Sequence, residues 1–246
     1  MVAEPWPYPF WIAHRGAGKL APENTLAAFA LGLARGYRMA ECDVTLSADG
    51  VAYLLHDERL ERTTCGRGLA VEQPWAALAA LDAGAWHGPR FAGERLPTLA
   101  ALAAFAQAQG LALNLEIKPG PGDDLRCGRV AATEAARLWA GAAGPPPLLS
   151  SFSHAALAAA RDAAPDLPRA HLFERLDADW LAQAQALGCV AIVAHHGALD
   201  TGTIAEAHAA GLRVLSYTVN DEATAARLQA AGIDGLITDA IGRLGP

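Results

Sequence analysis

The sequence predicts an α/β protein: a (β/α)8 barrel of TIM type, with eight parallel strands, one antiparallel hairpin partner and a small insertion around 58–96. Three observations lead there. Nine short β-rich runs recur along the chain, most of them separated by Ala-rich helical segments, the pattern of parallel strands joined by right-handed crossovers. Only Ser47-Ala48-Asp49-Gly50 separates the second run from the third, so these two form a hairpin, because a parallel crossover needs about a dozen residues or more. The 246 residues match the roughly 250 of a single barrel.

In order, WIAH (11–14) is the first strand, and TLAAFALGLARG (25–36) is a helix stopped at Gly36. MAECDVTL (39–46) and VAYLLH (51–56) form the hairpin, and an excursion over 58–96 follows. TLAALAAFAQAQG (98–110) is a helix after Pro97, with Leu99, Leu102 and Phe105 as its core stripe. LALNLEIK (111–118), LLSSF (148–152), RAHLF (169–173), VAIVAHH (190–196), RVLSYTV (213–219) and GLITD (235–239) supply the remaining strands. The last helix is DEATAARLQAAG (221–232), which follows Asn220. No linker or low-complexity tract divides the chain, which predicts one domain over 1–246.

Composition narrows the partners. With 52% hydrophobic and 18% charged residues the chain reads as globular, and its net charge of −7 argues against nucleic acid or an anionic membrane surface. No apolar run is long enough to span a bilayer, and MVAEPWPYPF does not read as a signal peptide. Cys42, Cys65, Cys127 and Cys189 are scattered as reduced thiols would be, so a cytoplasmic protein is expected, and a homo-oligomer stays open.

Chemistry in such barrels sits at the C-terminal ends of the strands. There this sequence places His14-Arg15, Glu41-Cys42-Asp43, His56-Asp57 and Glu116-Ile117-Lys118. Residues i and i+2 of a strand share a face, so Glu41 pairs with Asp43 and Glu116 with Lys118, while the hairpin brings His56 beside the carboxylates. Three converging carboxylates call for positive charge, and an all-oxygen set suits Mg²⁺ or Ca²⁺. Two imidazoles provide an acid and a base, and Arg15 and Lys118 provide phosphate donors. Metal, paired imidazoles and cations together describe phosphoryl chemistry.

HRG followed by PENT, the Glu-x-Asp strand, the LLHD and LEIK ends, SSF, and the late YTVN and ITD segments resemble the glycerophosphodiester phosphodiesterases over essentially the whole chain. The likeness is nearest to the small cytosolic bacterial enzymes. It implies a barrel enzyme that uses a divalent cation to hydrolyse small-molecule glycerophosphodiesters to sn-glycerol 3-phosphate and an alcohol. It matches His14 and His56 to the acid/base pair, Glu41, Asp43 and Glu116 to the metal ligands, and Arg15 and Lys118 to the phosphate positions. Tyr217 stands where many relatives carry Trp and, with Trp86, is a candidate substrate wall. The alternatives are a cyclising lyase of phospholipase C type, a metal-dependent aldolase, or a non-catalytic phosphodiester-binding protein. Asn24 and Thr25 read as caps of the first helix, with the alternative that this helix start orients His14 or the phosphate; His195 and His196 read as loop residues near the mouth, His154 as a helix opener, and His171 as a packed strand residue. His208 reads as a helix-surface residue, and His87 and Trp75 as residues of the excursion.

Overall fold

The computed structural model describes residues 6–246. Eight strands run parallel and close on themselves: β1 (Trp11–Ala13), β2 (Met39–Leu46), β4 (Ala112–Ile117), β5 (Leu148–Ser151), β6 (Arg169–Phe173), β7 (Ala191–His195), β8 (Arg213–Tyr217) and β9 (Gly235–Thr238). Pairing of β1 with both β2 and β9 completes the ring. β3 (Ala52–Leu54) lies outside it, antiparallel to β2, with Val44 opposite Leu54 and Leu46 opposite Ala52. The predicted barrel and hairpin are therefore both present.

The period-two alternation of the strands decides what faces inward. In β2, Ala40, Cys42 and Val44 pack outward, and in β4 Leu113, Leu115 and Ile117 do the same. They meet α1 (Leu26–Ala34), α3 (Leu99–Gln109), α4 (Asp124–Trp139) and α5 (His154–Ala163) in the outer core. A short α2 (Trp75–Leu78) belongs to the excursion, whose own small core forms around Tyr53, Leu60 and Leu78. On the far side, β7 to β9 pack against α6 (Trp180–Ala186), α7 (Thr201–Ala209) and α8 (Glu222–Ala230). Inside the ring, Ile12, Met39, Ala112, Leu172, Val193 and Ile237 form an apolar plug, extended by Tyr8, whose hydroxyl donates to the Pro146 carbonyl at 2.8 Å.

Several termini differ from the sequence reading. β1 stops at Ala13, because Arg15 takes a left-handed φ of 50° and the chain folds back, with Gly18 N–H donating to the His14 carbonyl. β3 is shorter than 51–56, so His56 lies beyond the ladder. Thr25 caps α1 as expected, and Asp221, the first residue of the predicted last helix, caps α8 from just outside it. Leu99 and Leu102 are buried, and Phe105 is half-buried against the same core.

Leu102 has no exposed surface and packs between α3 and the sheet. Leu102→Ala should lower unfolding stability by about 2–5 kcal/mol in a denaturant titration; a loss within experimental error would contradict this packing.

Candidate active site

The side chains above the apolar plug are polar. Met39, Glu41 and Asp43 follow one another up the interior face of β2, and Ala112, Asn114 and Glu116 up that of β4. The register sets Asp43 beside Glu116 and Glu41 beside Asn114. Oxygens of Glu41, Asp43 and Glu116 lie within 4.8 Å of one another.

Positive and hydrogen-bonding groups surround this cluster. The left-handed turn at Arg15 points its backbone N–H at Glu41 Oε2 (3.1 Å) and sets its Nε 3.3 Å from Asp43 Oδ2. Lys118 Nζ is 3.4 Å from Glu116 Oε1 and 3.9 Å from Asp43 Oδ1. Asn24 departs from its expected role as a cap. It is buried at a left-handed φ of 59°, its Nδ2 donates to Asp43 Oδ2 (2.8 Å), and its Oδ1 accepts from Asp43 N–H (3.1 Å). Asparagine tolerates that backbone region better than most residues. The loop therefore holds a metal-ligand candidate directly.

Both histidines are anchored in the same way. His14 Nδ1 is 2.6 Å from Asp239 Oδ1 at the end of β9, and its Nε2 faces Glu41 Oε2 at 3.8 Å. Asp239 is held in turn by Asn220, which accepts its backbone N–H at 2.8 Å. A side chain at Gly18 would place Cβ 2.2 Å from the Asp239 carbonyl oxygen, so only glycine lets the two loops meet. His56 Nδ1 is 2.6 Å from Asp57 Oδ1. Arg62 donates to both oxygens of Asp57 and, at 2.7 and 2.8 Å, to both oxygens of Glu23. Glu23 also accepts from Arg15 Nη1 at 2.7 Å. One chain of charged hydrogen bonds thus runs from His56 through the excursion to Arg15.

Sequence reasoning missed Glu23, Arg62 and Asp239 as supports. Ring closure offered a signal for Asp239, since β9 must neighbour β1 in a closed barrel. Nothing in the sequence marked Arg62.

The electrostatics leave the cluster short of positive charge. Burial lifts Glu41 well above the ordinary carboxylate range, and Asp43 and Glu116 lift it further. Burial, then Asp43, pushes Glu116 up to about 7. Burial opposes ionisation of Asp43 too, but Arg15, His56, Lys118 and the Asn24 bond outweigh it and hold Asp43 below the usual range. Glu41 Oε1 is fully buried with no hydrogen-bond partner among the described residues. An unpartnered carboxylate oxygen inside three convergent carboxylates fits a hard divalent cation.

A cavity of about 320 Å³ opens over the cluster. It brings together His14, Arg15, Glu41, His56, Glu116 and Lys118, with Asp43 buried behind them. Tyr217 lines it, its ring edge-on to Phe152 and His195. Trp86 does not line it: it packs edge-on against His87 in the excursion and donates to the Ala83 carbonyl. His87 contacts the Lys19 carbonyl, and His154 opens α5. His171 is buried on the outward face of β6 against Phe173.

The model of the glycerophosphoryl diester phosphodiesterase family matches residues 14–243. The chain belongs to that family. Its reaction class is accordingly phosphoric diester hydrolysis. Among relatives, the Bacillus subtilis protein YhdW is 34% identical over 234 residues, covering 93% of each chain. A glycerophosphodiester phosphodiesterase of Caldanaerobacter subterraneus subsp. tengcongensis is 30% identical over 232 residues, again 93% of each. A phosphodiesterase of Oleispira antarctica, solved in complex with the product sn-glycerol-3-phosphate, superposes with a TM-score of 0.89 at 34% identity, covering 96% of this chain and 95% of that one. Among the described residues no helix is long and apolar enough to cross a membrane.

A raised carboxylate pKa favours the folded state below the unfolded value and costs stability as pH rises through the folded one. For Glu116 the cost develops from about pH 4.5 to about 7, and a cation bound there would relieve it. Mg²⁺ or Ca²⁺ should therefore raise the melting temperature more at pH 8 than at pH 6, read by calorimetry. An equal or larger rise at pH 6 would contradict the cation's competing with protons for these carboxylates.

Proposed function

We propose that the chain hydrolyses glycerophosphodiesters to sn-glycerol 3-phosphate and an alcohol, with His14 and His56 as the acid/base pair, and that residues 1–246 act as one catalytic domain. The observation that carries this reading is the matched anchoring of the two imidazoles. Each gives Nδ1 to a carboxylate, both rings line the same cavity, and neither Nε2 has a hydrogen bond among the described residues. A carboxylate on Nδ1 fixes the tautomer and supports the imidazolium that forms when Nε2 takes a proton.

The diester binds with its phosphate against Arg15 and Lys118. One histidine removes the proton from the attacking oxygen, and the other delivers a proton to the leaving alkoxide, so the alcohol departs neutral. Glu41, Asp43 and Glu116 would hold a divalent cation, Mg²⁺ or Ca²⁺, which supplies electrostatic stabilisation of the charge that builds on the phosphorus oxygens. Tyr217 forms a wall for the glycerol arm. The product named in the complex of the Oleispira antarctica relative supports the choice of diester.

A coupled assay for sn-glycerol 3-phosphate, supplied with glycerophosphocholine or glycerophosphoethanolamine and either cation, tests this directly. His14→Ala and His56→Ala should each cut kcat by roughly 10² or more while circular dichroism stays unchanged. Turnover that survives both replacements, or thorough chelation, would remove those groups from the reaction. Phosphorus NMR showing a persistent cyclic phosphate and no glycerol 3-phosphate would make the enzyme a cyclising lyase instead.

A further inference from the structure

A second cleft, of about 580 Å³, adjoins the first. The two share four residues, His56, Glu116, Lys118 and Phe152. The smaller lobe is floored by the barrel plug through Leu172 and Ile237. The larger runs outward between the excursion and the loops that follow β4 and β5. Its far wall is firm: Val71 sits so close over Gly120 that a Cβ there would lie 2.6 Å from Val71 Cγ1. A phosphodiester has two arms on one phosphorus, and two lobes meeting at the cationic and imidazole groups match that shape. With the glycerol arm in the inner lobe, the outer lobe is left to the alcohol.

The charges in the outer lobe say which alcohol. Asp57 is bound to Arg62, Lys118 to Glu116 and Asp43, and Arg59 to Glu61. Glu58 lines the lobe, and its carboxylate makes no ion pair or hydrogen bond among the described residues. Across from the excursion, Phe152 is 45% exposed, a large apolar ring left to solvent. A free carboxylate and an exposed aromatic ring in one lobe together suit an ammonium group, by charge and by cation–π attraction. We propose that the outer cleft is the alcohol subsite and that Glu58 and Phe152 bias it toward amino alcohols carrying a cationic nitrogen. This rests on the diesterase reading above.

The test compares kcat/KM for glycerophosphoethanolamine with that for glycerophosphoglycerol, whose second alcohol is uncharged, in the cation-loaded enzyme. Glu58→Lys should lower the cationic-to-neutral ratio by about tenfold, and Glu58→Gln or Phe152→Leu by about threefold. Glu58 is exposed and unpartnered, so folding should be untouched, and turnover of the neutral diester should stay within about twofold in the Glu58 variants. Both substrates falling together, or neither changing, would overturn the assignment. Calorimetric titrations form the second arm. In a His14→Ala background, where the diester stays intact, Glu58→Lys should weaken binding of glycerophosphoethanolamine and leave sn-glycerol 3-phosphate, which lacks the alcohol arm, unaffected. Equal weakening of both ligands would place Glu58 outside an alcohol subsite. Were the unaltered enzyme to hydrolyse neither diester, the diesterase reading would fall, while the titrations would still decide whether the cleft recognises the ammonium.

Discussion

Three carboxylates packed side by side at the mouth of a barrel, two of them buried, are the constraint around which the rest of this molecule is arranged. Glu41 and Asp43 have almost no exposed surface, and Glu116 stands next to Asp43 in register on the adjoining strand. Like charges packed this closely cannot all ionise in a dry site without compensation. Arg15 and Lys118 bring two positive charges, and Asn24 and the Arg15 backbone bring dipoles. The compensation settles mainly on Asp43, and Glu41 keeps an oxygen with no partner. On the proposed reading a divalent cation would supply the missing charge, and the same charge would serve a phosphorus centre.

The loop after β1 carries the strain this arrangement requires. Arg15 and Asn24 are the two non-glycine residues with positive φ among the described residues, and both touch the carboxylate cluster. Strained backbone of this kind persists only where its surroundings over-determine it. Here the surroundings are the Glu23–Arg62–Asp57 chain on one side and the close meeting of Gly18 with Asp239 on the other. The contacts that hold the loop also orient both imidazoles. Positioning of the two imidazoles and of Arg15 is thus one structural problem with one solution.

Much of this was legible in the sequence because it rests on short-range periodicity. Alternation along MAECDVTL and LALNLEIK put the three carboxylates on one face, and the four-residue turn put His56 beside them. What stayed hidden depends on contacts between distant segments. Asn24 looked like a helix cap because Thr25 beside it is one; only the tertiary fold turns its amide toward Asp43. Arg62 lies in an irregular excursion where no period marks a face. Trp86 looked like a rim aromatic, but the excursion folds around its own small core and keeps that ring away from the cavity.

The central claim is that a cation completes the carboxylate cluster. The most direct measurement is an anomalous difference map from a crystal soaked in Mn²⁺ together with sn-glycerol 3-phosphate. One strong peak is expected within bonding distance of Glu41, Asp43 and Glu116, with the phosphate between it and Arg15. A manganese peak bound elsewhere, or none at a saturating concentration, would contradict it.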